Sequence, residues 1–320
     1  MIKIAHPLRI MKMNKLSIVM YHYVRPIKES KFSGIKGLEL DGFNRQLDYL
    51  NENFNIVSTE QVINATKYSS PLPNDACWLT FDDGYKDHFK YVMPELFKRN
   101  LHGAFFPPRV AIEEDVVLDV NLIHHILSCV DDVKQLVSRL NSHCLSNDIS
   151  ESNIEAYYKK YAVENRFDNA ETVFVKRMLQ HVLPEQLRSS IAENMFKEFV
   201  GLSAEEFSKE LYMSVDEVKG LVNSGMYVGS HGSRHYWLNK ISPEEQEKDI
   251  KQSLNFLEDI GAPTNDWVMC YPYGAYNDTT LSLLKKFDAS VGLTTEVRVA
   301  NLKADKRFEL PRLDTNDFPQ

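Results

Sequence analysis

The stretch CWLTFDDGYKDHF, residues 77–89, runs from an apolar, strand-like segment directly into two adjacent aspartates and a glycine. Carboxylates this close repel each other, and removing them from water is unfavourable unless a partner compensates their charge. Two interpretations fit. Asp-Gly is a strong turn signal and Asp is a good helix N-cap, so Asp82 and Asp83 could simply mark a turn. Alternatively, a bound cation would convert their repulsion into a reason for the pair.

The composition indicates a globular protein without nucleic-acid-binding character. The 320 residues are enough for two average domains or for one large barrel with an insertion. The chain carries 37 Lys and Arg against 45 Asp and Glu, a net charge of -8, which argues against a partner bound through phosphate contacts. The four cysteines are scattered without a C-x-x-C pair, so we expect reduced thiols rather than disulfides or a zinc knuckle.

The N-terminal segment lacks the hydrophobic core of an export signal. The apolar run 18–21 is too short for a signal peptide, and Lys15 interrupts any longer run. No segment approaches the length of an apolar membrane span. We therefore expect a cytoplasmic protein without a membrane span. Met11 and Met13 leave room for a natural start after Met1.

Short apolar runs alternate with amphipathic stretches at both ends of the chain. This alternation predicts a parallel sheet or barrel. The runs that we interpret as strands are LSIVMY (16–21), CWLTF (77–81), GAFFP (103–107), MYVGS (226–230), DWVMCY (266–271) and ASVGLTT (289–295). The stretches that we interpret as helices are FNRQLDYLNEN (43–53), KDHFKYVMPELFKRN (86–100), the segment from the capping box at Ser242 to Gly261, and DTTLSLLKKF (278–287).

The middle of the chain follows a different pattern. Between about 112 and 224 we find helical stretches and no convincing strand, with capping boxes at 203–206 and 214–217. We therefore predict that residues 1–111 and 225–320 are two parts of one barrel and that residues 112–224 form a helical insertion.

A histidine pair follows another predicted strand. His231 and His235 in SHGSRH are four residues apart, a spacing that presents two imidazoles to one point if the segment turns helically. Imidazole is the commonest ligand for zinc, and one carboxylate with two histidines leaves coordination positions open for water and substrate. Since the carboxyl ends of parallel strands meet at one edge, Asp82 or Asp83 could complete such a site. We interpret His124–His125 as helix surface or packing within the insertion.

Three motifs occur in one order: TFDDG (80–84), SHGSRH (230–235) and YPYG (271–274). Alone, the third is consistent with a Pro-Tyr-Gly turn. Together they resemble the polysaccharide deacetylases of carbohydrate esterase family 4, the NodB-homology family. MYHYV near the start and LPRLD near the end are similar to one branch of that family. The resemblance covers the α/β parts of the chain, and it implies a distorted (β/α) barrel of the NodB-homology type interrupted by the helical insertion.

The resemblance also implies roles for site residues. Asp83, His231 and His235 would bind one divalent metal ion, zinc in this prediction. Asp82 would stay free as the base that deprotonates the attacking water. The backbone N–H of Tyr273 would stabilise the oxyanion.

The sequence departs from the family pattern at two positions. Cys270 stands where much of the family has an arginine that orients the base. We predict that Arg312 replaces it by a bidentate contact, and the alternative is a surface ion pair. The family's late histidine, a general acid, has no counterpart, because no histidine follows His235. His22 is the candidate replacement, and the alternative is a packed core histidine.

The resemblance implies a metal-dependent hydrolase that removes an N-acetyl group from a sugar. Two alternatives stay open: a catalytically impaired deacetylase fold that binds carbohydrate, and a deacylase of a small non-carbohydrate amide. A cytoplasmic enzyme would meet a nucleotide-sugar or lipid-linked saccharide, for example in the synthesis of lipopolysaccharide or another surface polysaccharide. No nucleic-acid partner is expected.

Overall fold

A computed structural model describes residues 15–165 and 168–320. The expectations about the N-terminal start at Met1, Met11 or Met13 lie outside the described residues. Among the helices that are described, none combines the length and apolar character that a membrane crossing requires.

Strands and helices alternate at both ends of the chain, and the middle is helical. The strands are β1 (Lys15–Tyr21), β2 (Val24–Arg25), β3 (Leu38–Glu39), β4 (Asn55–Ile56), β5 (Ala76–Asp82), β6 (Ala104–Phe106), β7 (Tyr227–Val228), β8 (Val268–Cys270), β9 (Val291–Leu293), β10 (Ala300–Asn301) and β11 (Leu313–Asp314). The α-helices are α1 (Leu40–Asn53), α2 (Thr59–Tyr68), α3 (Met93–Lys98), α4 (Arg109–Glu113), α5 (Asp119–Ser128), α6 (Val133–Leu145), α7 (Glu151–Tyr161), α8 (Ala170–Arg177), α9 (Glu185–Val200), α10 (Ala204–Leu211), α11 (Val215–Asn223), α12 (Pro243–Asp259) and α13 (Asp278–Lys286).

The strands close into a ring of parallel pairings. β5 lies between β1 and β6, and β6 pairs with β7. A single bridge between Ser230 and Met269 continues the ring to β8, which pairs with β9. A second bridge between Leu293 and Leu310 leads to β11, which pairs with β1. The predicted α/β barrel is confirmed. It is distorted because single bridges replace full ladders at two of its joints.

Side-chain alternation along β5 determines which residues face the barrel interior. Trp78 packs in an interior cluster with residues such as Ile18, Phe106, Val268 and Leu310. Because successive side chains of a strand point to opposite faces, Asp82 lies on the same face as Trp78. Cys77, Leu79 and Phe81 point the other way and pack beneath the helices. A parallel strand buried on both faces is the expected result.

The segment between β6 and β7 contains helices α4 to α11 and no strand within its described residues. It shares one hydrophobic cluster with the barrel, because Leu122 and Phe196 belong to the same cluster as Phe81 and Phe105. The division of the chain at residues 111 and 224 stays a prediction.

Local signals determine where several helices begin. The predicted capping box at the start of α12 is confirmed: the Glu245 N–H donates to Ser242 Oγ at 3.2 Å, and the Ser242 N–H donates to Glu245 Oε2 at 2.9 Å. The predicted helix 86–100 is divided. His88–Val92 form a π-helical turn, and α3 begins at Met93 with Pro94 in its first turn, where a proline is tolerated.

Candidate active site

The polar residues of the predicted site collect at the carboxyl end of the barrel strands. Asp82 ends β5 and Asp83 follows it, while His22 follows β1. His231 comes after β7, and Tyr273 lies in a short 3₁₀ turn after β8. Open parallel sheets and barrels build their sites at this edge, because the loops that follow neighbouring strands converge there.

Asp83, His231 and His235 converge on one point. The Nε2 atoms of His231 and His235 lie 3.3 Å and 3.4 Å from Asp83 Oδ1. Tetrahedral zinc with ligand bonds of about 2.0–2.1 Å separates its ligand atoms by about 3.3–3.4 Å. All three side chains are buried, and their ligand atoms lie within 4.8 Å of one another. The donor set and its spacing therefore fit a divalent metal ion.

Hydrogen bonds and neighbouring charges determine which atoms of these three side chains are available to a cation and which protonation states are favoured. Nδ1 of His231 lies 2.7 Å from the Cys270 carbonyl, which can only accept, so Nε2 is the nitrogen available to a metal. Burial favours neutral Asp83, but hydrogen bonds from His231 and His235 outweigh it and hold the pKa of Asp83 well below its usual range. Burial lowers the pKa of His235. It also opposes charge on His231, but Cys270 and Asp83 outweigh it and raise the pKa of His231.

The loop that carries both histidines is held by a buried carboxylate of α12. Asp249 accepts the N–H groups of Ser233 and Arg234, each at 2.9 Å. Gly232 has a φ of +71°, and a Cβ there would lie 2.7 Å from Asp249 Oδ2. The glycine is therefore needed both for the left-handed backbone and for the close approach of Asp249.

Asp82 belongs to a different group of contacts. Arg312 Nη1 donates to Asp82 Oδ1 at 2.9 Å, and Nη2 lies 2.8 Å from Oδ2. Both side chains are almost fully buried, with exposed fractions of 1% and 2%, so the alternative of a surface ion pair is wrong. The Arg312 Nε–H donates to the Thr294 carbonyl at 2.9 Å, which fixes the guanidinium plane. Burial favours neutral Asp82, but Arg312 and His231 outweigh it and lower its pKa.

Tyr273 lies beside the group formed by Asp83, His231 and His235, in a left-handed conformation with a φ of +58°. Its ring contacts His235 at a centroid distance of 4.7 Å and stacks on Trp237 at 4.4 Å with an interplanar angle of 11°. Ring packing therefore holds the Tyr273 side chain between His235 and Trp237.

Comparison with known proteins agrees with this geometry. Residues 188–292 match the family model described as polysaccharide deacetylase. The resemblance to the polysaccharide deacetylases is confirmed. The matched segment contains the motifs at 230–235 and 271–274, and the motif at 80–84 lies outside it. YxkH of Bacillus subtilis (strain 168), named among the polysaccharide deacetylases, is 26% identical over 90 residues, which are 28% of this chain and 32% of YxkH. The match thus spans about a third of that relative's length.

Solved deacetylase structures share the fold over most of the chain. The Streptococcus pyogenes deacetylase PplD, in complex with acetate, has a TM-score of 0.59 and 18% identity, covering 94% of this chain and 92% of its own. IcaB from Ammonifex degensii has a TM-score of 0.55 and 17% identity, covering 93% and 91%. A de-N-acetylase from Aggregatibacter actinomycetemcomitans has a TM-score of 0.53 and 15% identity, covering 94% and 95%. These likenesses establish the fold.

Cys270, the departure from the polysaccharide deacetylase pattern, is buried at the end of β8. Its sulfur, a carboxylate oxygen of Asp82 and a His231 nitrogen also lie within 4.8 Å of one another. A second cation there would have to compete with the Arg312 guanidinium, which already contacts both oxygens of Asp82. Burial raises the pKa of the Cys270 thiol, so the Asp83 group fits a cation better than this second group.

His22, the candidate replacement for the missing late histidine, follows β1 at the edge where the other site residues collect. Its Nε2 is 3.9 Å from Asp82 Oδ2, and its side chain is 42% exposed, so it is not a packed core histidine. Its backbone carbonyl lies 2.9 Å from His88 Nε2, which positions the end of β1. His88 is fully buried, and burial lowers its pKa to about 4.

Several residues around the site carry no signal in the sequence. Asp249 and Asn121 are polar residues within helices, a pattern that normally indicates a solvated face, yet both are buried. Of the two alternatives for the His124–His125 pair, packing applies to His125, which is buried against Phe207 of the predicted insertion and Phe32 of the barrel part. His124 is partly buried and its ring lies 6.0 Å from that of Tyr23.

Proposed function

We propose that this protein is a metal-dependent hydrolase, with zinc as the metal, that removes the acetyl group from an N-acetylated sugar. The observation that carries the proposal is the separation of two adjacent carboxylates into different environments. Asp83 faces two histidines, and Asp82 faces Arg312. A site that only bound carbohydrate would not need an ionised carboxylate held beside a set of metal ligands.

Asp83, His231 and His235 would hold the ion, which when bound supplies Lewis-acid chemistry that polarises the acyl carbonyl and acidifies water. Asp82 accepts a proton from the attacking water as the new C–O bond forms, and Arg312 keeps Asp82 ionised and oriented.

The backbone N–H of Tyr273 donates to the oxyanion. His22 donates a proton to the leaving nitrogen as the C–N bond breaks, and its position 3.9 Å from Asp82 supports this role. The products are acetate and a free amino sugar.

The substrate in this proposal is a nucleotide-sugar or lipid-linked saccharide that a cytoplasmic enzyme would meet during surface-polysaccharide synthesis, including that of lipopolysaccharide. The acetate bound in the Streptococcus pyogenes structure supports acetyl as the acyl group in this proposal, since acetate is the product of N-acetyl hydrolysis. The pathway and the location rest on family analogy.

The test measures metal content and acetate release on the same preparation. Purified protein is analysed for bound divalent metal and then incubated with N-acetylated oligosaccharides, nucleotide-sugars and small N-acetyl amides. Metal-dependent acetate release from saccharides supports the proposal. Saccharide binding without release would identify a binding protein, and release from small amides alone would identify the alternative deacylase.

A further inference from the structure

A buried hydrogen-bond chain connects the helical segment between β6 and β7 to the metal-ligand cluster. The Leu118 N–H donates to the Tyr212 hydroxyl at 3.1 Å, and Tyr212 donates to Asn121 Oδ1. Asn121 Nδ2 donates to the Tyr85 hydroxyl at 2.6 Å, and Tyr85 donates to Asp83 Oδ2 at 2.5 Å. Tyr85, Asn121 and Tyr212 are all buried.

The direction of every bond in this chain follows from one backbone donor. The Leu118 N–H can only donate, so the Tyr212 oxygen accepts from it and the Tyr212 proton is donated onward. Only the carbonyl oxygen of Asn121 can accept that proton, which orients the amide group towards Tyr85. Since the Tyr85 oxygen accepts from Asn121, its own proton is directed to Asp83.

Tyr23 completes the set of partners around Asn121. The second hydrogen of Asn121 Nδ2 is donated to the Tyr23 hydroxyl at 3.0 Å. The Tyr23 ring stacks on Tyr85 at 4.1 Å with an interplanar angle of 24°. Both hydrogens of the amide are therefore used, and the Tyr85 ring has little freedom to turn.

Backbone contacts reinforce the same connection. The Met213 N–H donates to the Gly84 carbonyl at 3.0 Å, and Tyr85 forms an antiparallel bridge with Tyr212. The segment that follows α10 is therefore attached to the loop that carries Asp83.

We propose that the helical segment positions Asp83 through Asn121 and Tyr85, so that Asp83 offers a metal only its Oδ1 atom. The Tyr85 hydroxyl donates a hydrogen bond to Asp83 Oδ2, whereas Asp83 Oδ1 faces His231 and His235. Single-oxygen ligation leaves more coordination positions for water and substrate. Asn121 and Tyr85 are positioning residues, and this inference rests on the proposed metal site.

Co²⁺ titration tests the proposal, because the visible absorption of Co²⁺ reports its coordination number. Tyr85→Phe removes only the hydroxyl, and Asn121→Asp replaces a donor with an acceptor that competes for the Tyr85 proton. Tyr212→Phe removes the bond that orients Asn121, and it keeps the test available if Asn121→Asp fails to fold. Tyr21→Phe is the matched control, since the buried Tyr21 hydroxyl has no hydrogen-bond partner within the described part of the chain.

We expect Tyr85→Phe and Asn121→Asp to weaken Co²⁺ affinity about 10- to 100-fold and to change the absorption spectrum towards higher coordination number. Tyr212→Phe should weaken affinity less, and Tyr21→Phe should match the unsubstituted protein. Unchanged affinity and spectrum in the folded Asn121 and Tyr212 variants would overturn the role of the helical segment. Failure of the unsubstituted protein to bind Co²⁺ would overturn the proposed metal site itself.

Discussion

Arg312 and Asp82 form a buried ion pair in which each charge depends on the other. Removing one partner of such a pair leaves an uncompensated buried charge, at a typical cost of about 3–5 kcal/mol. Arg312 also lowers the pKa of Asp82 against the opposing effect of burial. Loss of either partner should therefore destabilise the fold, and Arg312 favours the ionised state of Asp82 that the proposed general base needs.

We expect Arg312→Ala to keep the metal, to lose kcat and to shift the acidic limb of the kcat–pH profile to higher pH. The shift follows because Asp82 loses the charge that lowers its pKa. Arg312→Lys should rescue kcat only partly, since an ammonium group cannot make two parallel hydrogen bonds. Metal content and kcat across pH check this, and an unchanged acidic limb in Arg312→Ala would contradict it.

The adjacent aspartates should respond differently to the same substitution. Asp83→Asn should weaken metal binding, because it removes the negative charge of the carboxylate that faces both His231 and His235. Asp82→Asn should keep the metal and lower kcat by about 10² to 10⁴, the typical contribution of a general base. Metal stoichiometry and kcat are measured on both variants. Equal metal loss would mean that the two carboxylates do not divide the work.

The proposed role of His22 as general acid is tested on the alkaline limb of the kcat–pH profile. A general acid must carry its proton, so activity falls on the alkaline side as that proton is lost. We expect His22→Gln to lower kcat and to remove the alkaline limb while the acidic limb, which reports Asp82, stays in place. A fully active His22→Gln enzyme would show that the leaving nitrogen receives its proton from another source.

At the scale of elements, the sequence predicts those strands and helix starts that a few adjacent residues determine. The run 77–81 corresponds to β5 (Ala76–Asp82), and the Ser242 capping box begins α12 as expected. Barrel closure could not be predicted in this way, because β11 has only two residues and the joint at Leu310 is a single bridge. Two residues are too few for a periodic pattern.

The site residues also divide into those that a local motif predicts and those that depend on contacts between distant segments. Asp82, Asp83, His231 and His235 lie within contiguous motifs and are recognisable together. Asp249 contacts the histidine motif, and Asn121 reaches Asp83 through Tyr85, only in the folded chain. A single polar residue on a helix normally indicates solvent exposure. Their roles therefore depend on tertiary contacts, which no local pattern encodes.

Asp249 of α12 holds the loop that carries His231 and His235, so its substitution should affect that loop. Asp249→Asn replaces one of the two accepting carboxylate oxygens with an NH2 donor, so that either the Ser233 or the Arg234 N–H loses its acceptor. An unsatisfied buried polar group costs about 1–3 kcal/mol, so unfolding free energy and metal affinity should both fall.

Denaturant unfolding and metal titration measure these two quantities. Asp259→Asn changes an exposed carboxylate at the end of the same helix and should have little effect. If Asp249→Asn and Asp259→Asn behave alike, the loop does not depend on α12 for its conformation.

At the scale of the whole molecule, the proposed metal site connects segments that are distant in the sequence. Asp83 follows β5, and His231 and His235 follow β7, with the whole helical segment between them. An ion that binds only the folded arrangement stabilises it by mass action, by about 2.7 kcal/mol when its concentration is 100 times its Kd. Metal binding should therefore raise the unfolding temperature of the complete chain.

We expect chelation to lower Tm by several degrees at neutral pH, and we expect His231→Ala and His235→Ala to lack both the metal and the response to chelator. The effect should weaken as the pH falls from 7.5 to 5, because protons compete with the ion for the ligand atoms of His231, His235 and Asp83. Tm is measured with and without chelator at pH 7.5 and 5, with Tyr21→Phe as a folded control. A response to chelator that both histidine variants retain would show that the ion binds elsewhere in the molecule.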